Sequence, residues 1–328
     1  MLTLALLLAV PAPQEDPEKL YGDWVVACDN LHGCEMTSLY PAEHEAPEDD
    51  AFDASMSLIR DAGPAGGFTI EVSAALKLGG KATLRIDDVA IATAAARDES
   101  VTFTGADAAK IAAAMPNGKT LVLVGADGKV AARISLAGSS ASLRHIDANQ
   151  GRAGTVTAVV ARGAKPAGAV PAAGVPEQVI AVRPSGTPAA VSKAMRAGME
   201  KQSDCDGLYD GAEVVPDVET YALGGGKTLA LLPCGAGAYN YSSVAFIVSG
   251  GKAVRAAFDE GDGMLVNAGF GNGLLTSYAK GRGVGDCGNA ETYVWDGRRF
   301  RMTEARAMSE CRGSNNWLTF FRATPVFR

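Results

Sequence analysis

Residues 21–39 read YGDWVVACDNLHGCEMTSL. The apolar run Trp24-Val25-Val26-Ala27 is short and rich in β-branched and aromatic side chains, so it reads as a strand. Cys28 and Cys34 stand either side of Asp29-Asn30-Leu31-His32-Gly33, a run of turn formers. A bond between the two cysteines would close a tight hairpin there. The same vocabulary of short apolar runs between Gly, Asn and Asp turns recurs along the chain, and it points to antiparallel β-structure.

Outward from this hairpin, residues 55–60, 68–72, 82–86, 120–124 and 130–136 read as further strands, with Asp127-Gly128 a hairpin turn between the last two. One helix interrupts them. Thr104 can cap it, Asp107 follows three residues on, and residues 108–115 propagate it until Pro116-Asn117-Gly118 ends it. A second helix is expected over 140–150. Residues 163–177, GAKPAGAVPAAGVPE, lack apolar periodicity and suit a semi-extended linker.

Beyond the linker, residues 179–182 read as a strand. A helix follows, capped by Thr187, opened by Pro188 and running over 189–202. Strand pairs then flank glycine-rich turns: 220–223 and 228–232 around Gly224-Gly225-Gly226-Lys227, 244–248 and 253–258 around Ser249-Gly250-Gly251-Lys252, and 292–295 and 299–302 around Asp296-Gly297. The expected fold class is mainly β. A β-sandwich-like domain covers 19–162, and an antiparallel α+β meander covers 178–328. A length of 328 residues suits two domains.

Residues 1–18 form the expected signal peptide and leader. Leu2 to Val10 is one apolar run, followed by small residues and then by acids, although no Lys or Arg precedes it. Beyond it no apolar run reaches the length of a bilayer span. Export to the periplasm or medium would make the even set of six cysteines a disulfide framework. Six cysteines allow 15 connectivities; sequence proximity favours Cys28–Cys34, Cys205–Cys234 and Cys287–Cys311. None forms CxxC or stands at ligand spacing from a His, so no metal is expected.

The net charge of −7 argues against a general nucleic-acid binder. Nearly all of it comes from six acids in residues 43–53, which hold no Lys or Arg. A solvated acidic loop is the expectation, since the spacing fails an EF-hand. Residues 282–328 carry eight Arg against five acids. They form either a patch for an anionic partner or one half of cross-strand ion pairs.

Catalytic motifs are weak. Gly224-Gly225-Gly226-Lys227-Thr228 resembles a phosphate loop, but Tyr221 occupies the first glycine position and a strand follows where a helix is required. Of the three histidines, His145 alone lies in a packed element, three residues from Ser142 and two from Asp147. Helical spacing would bring Ser142 and His145 to one face. There is no GxSxG elbow. No cofactor is expected. The favoured function is a non-catalytic binding or envelope-interaction protein, whose partner would be an envelope protein or a small ligand. The alternative is an envelope hydrolase using Ser142, His145 and Asp147, or carboxylates paired across a cleft.

Four strings carry more than pattern: YGDWVVACDNLHGCEMTSL (21–39), SLAGSSASLRHIDANQGRAGTVTAVVARG (135–163), LLPCGAGAYNYSS (231–243) and GRGVGDCG, YVWDGRRF and ECRGSNNW within 281–317. In this order they resemble the DUF1176 family of uncharacterised exported proteins of Gram-negative bacteria, over nearly the whole chain. The first half is also distantly similar to the invasion-associated locus B family. The resemblance implies a periplasmic or secreted address and agrees with paired cysteines. It implies no activity and no catalytic residue. Protein isolated from its own host's envelope is expected to show an intact mass short by six hydrogens; free thiols would contradict the framework.

Overall fold

The computed structural model describes residues 17–41, 54–74, 76–205, 208, 215–261 and 263–328. The apolar run of the leader and the acidic residues 43–53 therefore lie outside the described residues.

In the first half, β1 (Glu18–Tyr21), β2 (Trp24–Cys28), β3 (Cys34–Ser38), β4 (Ser55–Arg60) and β5 (Phe68–Ser73) follow one another. Next come β6 (Lys81–Ile86), β7 (Val89–Arg97), β8 (Ser100–Thr104), the helix α1 (Gly105–Ala114), β9 (Thr120–Gly125), β10 (Val130–Ser135) and the helix α2 (Ser139–Asn149). The strands form one antiparallel sheet in the order β1-β2-β3-β4-β5-β8-β7-β6-β9-β10. β7 pairs with β6 through most of its length and with β8 only through Ala96 and Arg97. The sheet folds over at this strand, and both arms share a core that includes Trp24, Met36, Leu58, Leu84, Phe103 and Leu123.

The two ends of the sheet meet. Trp24 Nε1 donates to the Ser135 carbonyl at 2.9 Å, and Asp23 N donates to the Ala137 carbonyl at 2.9 Å. Contact this close requires glycine. Gly138 has φ 95°, and a Cβ placed on it would stand 1.8 Å from the Tyr21 carbonyl oxygen.

The stretch 163–177 runs back along this half. Thr155 bridges to Lys165, Val170 is buried, and a Cβ on Gly174 would stand 3.2 Å from Leu31. The second half comprises β11 (Gln178–Ala181), α3 (Lys193–Glu200), β12 (Glu219–Gly224), β13 (Lys227–Ala236), β14 (Tyr241–Ser249), β15 (Lys252–Arg255) and β16 (Met264–Val266). It continues with β17 (Gly269–Gly271), β18 (Leu274–Lys280), β19 (Gly288–Trp295), β20 (Phe300–Met308), β21 (Leu318–Arg322) and β22 (Thr324–Phe327). β12 to β15 form one antiparallel sheet, with β16 joining β14, and β17 to β21 form another. β11 and β22 pair in parallel. Leu229, Leu231 and Ala245 of one sheet pack against Leu275, Tyr293 and Trp295 of the other.

The helix expected over 189–202 is shorter. It begins at Lys193, and Ser192 caps it by accepting from Met195 N at 3.2 Å. The reason lies in the preceding backbone. Ala189 N donates sideways to Thr228 Oγ1 at 2.8 Å, which ties this residue to β13 and takes the amide that a Thr187 cap would have to hold.

Among the described residues the halves share no sheet. They meet where β21 lies against β2 and β3. Val25, Ala27 and Leu39 pack there with Met308, Trp317 and Leu318. β2 is thus buried on both faces, with Trp24 and Val26 in the first core and Val25 and Ala27 in the seam. All six cysteines are bonded, as Cys28–Cys34, Cys205–Cys234 and Cys287–Cys311. Gly138→Ala is expected to cost about 3 kcal/mol or more in urea unfolding, from clash and positive φ together. Gly168→Ala, with open space around it, is expected to change stability by less than about 0.5 kcal/mol.

Candidate functional site

The sequence places Ser142, His145 and Asp147 on α2, and the helix faces separate them. Ser142 points into the first core, with its buried Oγ unpartnered among the described residues. His145 is half-buried, and its Nδ1 lies 3.3 Å from Tyr21 Oη. Burial, and after it the Lys19 ammonium, holds its pKa below the usual histidine value.

Asp147 does something else. It is fully buried, and its carboxylate accepts from the backbone N–H groups of Val159, Val160 and Ala161 at 2.8–3.1 Å. One side chain therefore organises a segment with no regular secondary structure and satisfies donors that would otherwise be buried alone. Two buried guanidiniums lie nearby. Arg152 donates to Gln150 Oε1 at 2.6 Å and to the carbonyls of Gly63 and Asp61 at 2.6 and 3.1 Å. Arg60 donates to the Thr157 carbonyl at 3.0 Å and lies over the Phe68 ring. Burial and the neighbouring Arg152 lower the Arg60 pKa to about 10, and Asp147 opposes the shift. The string QGRAGTVTAVVARG is thus a polar plug with Asp147 at its centre. The three residues do not converge on a reacting atom.

The phosphate-loop-like string is a hairpin turn between β12 and β13, and its lysine is committed elsewhere. Lys227 Nζ donates to the Gly297 carbonyl at 2.6 Å. Among the described residues, no three His, Cys, Asp or Glu side chains converge as a metal would require. No helix among them is long and apolar enough to cross a membrane.

The arginines of residues 282–328 mostly face acids. Arg299 and Arg301 pair with Asp259, and Arg282 with Asp286. Two others cross the seam. Arg312 reaches Asp23 at 2.7 Å and also donates to the Tyr40 and Gly22 carbonyls. Arg322 pairs with Asp29 at 3.1 Å, while its backbone exchanges two hydrogen bonds with the Asn30 amide at 2.8 and 3.0 Å. Asp29 Oδ1 meanwhile accepts from Leu31 N and Gly33 N, which fixes the disulfide-closed turn.

Beside this turn the seam opens into a cleft of about 290 Å³. Asp29, Glu35, Asp61 and Arg322 line it, along with residues of the 163–177 stretch. Glu35 stands on the outer face of β3. Burial raises its pKa above the usual carboxylate value, although Arg306, Arg322 and a hydrogen bond from the Thr319 backbone pull the other way. The sequence reading did not single out Glu35. Its one local signal is an acid between Cys34 and Met36, both buried in the first core, which assigns Glu35 to the opposite face.

The profile of the family described as "Protein of unknown function (DUF1176)" matches residues 18–324. A curated relative, "Uncharacterized protein YpfG" of Escherichia coli (strain K12), is 34% identical over 198 residues, and the match spans 56% of each chain. Among solved structures, the crystal structure of invasion associated protein b from Bartonella henselae is 17% identical. It covers 41% of this chain and 98% of its own, with a TM-score of 0.30.

Glu35 makes a pH-dependent contribution of defined sign. A carboxyl whose folded pKa lies above its unfolded value favours the fold below the unfolded value, near 4.5, and loses that contribution as pH rises through the folded value. Glu35→Gln is therefore expected to raise the melting temperature relative to the parent at pH 7, with the gain shrinking towards pH 4. A gain that does not change with pH would contradict the burial argument.

Proposed function

This chain belongs to the DUF1176 family, whose function is unknown, and we propose that it is an exported, non-catalytic binding protein of the bacterial envelope. It would take a small ligand or partner protein at the concave surfaces along its seam. The observation that carries this reading is the use made of Asp147. The carboxylate that would orient His145 is consumed by three backbone amides, while Asp29, Glu35, Asp61 and Arg322 line a cleft where the halves meet. The three disulfides support an oxidising compartment.

A second reading has one observation in its favour. Glu35 is an acid of raised pKa in a cleft that Asp29 and Asp61 also line. That is the pairing a hydrolase would use for general acid and base. The two readings part on one experiment. Native mass spectrometry on protein from the periplasmic fraction is expected to find a retained ligand or partner. In esterase, peptidase and glycosidase assays, His145→Ala and Glu35→Gln are expected to match the parent. Turnover abolished by either substitution, with the melting transition intact, would overturn the binding reading.

A further inference from the structure

A second cavity, of about 570 Å³, opens on the other side of the seam, beside the loop GRGVGDC (281–287). Several bonds make this loop rigid. Gly281 N donates to the Cys287 carbonyl at 2.7 Å, and Gly285 N to the Arg282 carbonyl at 3.0 Å. Trp317 Nε1 holds the Gly285 carbonyl at 3.2 Å, and Cys287 is bonded to Cys311. At the base sits Asp286, 2% exposed. Its Oδ1 accepts from Arg282 Nε at 2.6 Å, and its Oδ2 accepts from Arg282 Nη2 and from Gly313 N at 2.7 Å.

This geometry uses only one side of the guanidinium. A guanidinium offers two bidentate edges, the side-on pair Nε and Nη2 and the end-on pair Nη1 and Nη2. Asp286 takes the side-on edge. Nη1 meets no acceptor among the described residues, and the Arg282 side chain is half exposed to the cavity. Rotamer freedom, the usual cost of engaging an arginine, has already been removed by the clamp. Beside it, Val284 is 75% exposed on the rigid loop, and Tyr40 and Asn315 complete the wall. A positioned cationic fork beside an exposed aliphatic side chain is the composition of a small-ligand site.

We propose that this cavity binds a carboxylate bearing an apolar substituent, with the end-on edge of Arg282 as its anchor and Val284 and Tyr40 covering the substituent. The proposal rests on the binding-protein reading and gives it a ligand class. A monoanion fits better than a phosphate dianion, because Asp286 already neutralises the guanidinium. The carboxylate could be a peptide's C-terminus or a free aliphatic acid.

The test is calorimetric titration of the full chain with N-acetyl-leucine and with octanoate, using N-acetyl-leucinamide as the uncharged control. At least one acid is expected to bind and the amide not to. Binding of N-acetyl-leucine alone identifies a chain end, and binding of octanoate identifies a free acid. Arg282→Lys keeps the charge but loses the fork, and is expected to weaken binding by about tenfold or more. Val284→Asp alters an exposed residue, leaves the clamp intact and is expected to abolish binding by repulsion. Equal binding of acid and amide, no binding by either acid, or binding that survives both substitutions would overturn the assignment. Should a ligand retained from the periplasm persist in Val284→Asp, the cavity falls and the binding reading stands.

Discussion

The double burial of β2 is the constraint on which the rest of the molecule depends. A strand in a sheet with one wet face alternates apolar and polar residues, but Trp24-Val25-Val26-Ala27 does not alternate. Trp24 and Val26 fill the first core, so Val25 and Ala27 need cover from elsewhere, and β21 with Trp317 and Leu318 supplies it. At roughly 25 cal/mol per Å² of apolar surface removed from water, small aliphatic side chains contribute modestly each. Polar bonds then fix the register. Glu18 accepts from Ser309 N and Oγ, Arg312 holds Asp23, and Arg322 with Asn30 holds the end of the hairpin.

The distribution of charge follows from this docking. The excess of arginine near the C-terminal end looks like a patch awaiting an anion when that segment is read alone. In the fold, Arg299 and Arg301 meet Asp259 within the second half, while Arg312 and Arg322 meet acids that lie almost 300 residues away. In the two seam pairs the acids Asp23 and Asp29 are buried, so desolvation offsets much of the attraction between the charges. Here they work with backbone acceptors, the Tyr40 and Gly22 carbonyls, and so specify how the halves sit.

What the sequence made legible were features of local chemistry. The Asp127-Gly128, Gly224–Lys227 and Gly250-Gly251 turns announce hairpins because only glycine and a few polar residues adopt their backbone conformation. Proximity identified the three cysteine pairs, because each closes a local loop. Features set by distant partners stayed hidden. Residues 187–191 carry a sound helix signal, yet Thr228, some forty residues on, diverts the Ala189 amide. β7, an alanine-rich strand, has no strong β-forming signal and is held by its two neighbours. Ser142, His145 and Asp147 share a helix, but their surroundings decide their roles: the first core encloses Ser142, His145 meets Tyr21, and Asp147 holds residues 159–161. Glu35 and Arg282 line cavities built by residues from both halves.

The parallel pairing of β11 with β22 bears on the order in which the molecule can be made. The first half has all its strands by residue 135 and its organising segment by 163, so it can fold while the rest is still being delivered. The second half cannot. Its opening strand waits for Thr324–Phe327, and Arg183 and Ala181 exchange backbone bonds with Arg328. Until Met308, Trp317 and Leu318 emerge and dock, β2 presents Val25 and Ala27 to solvent without their cover.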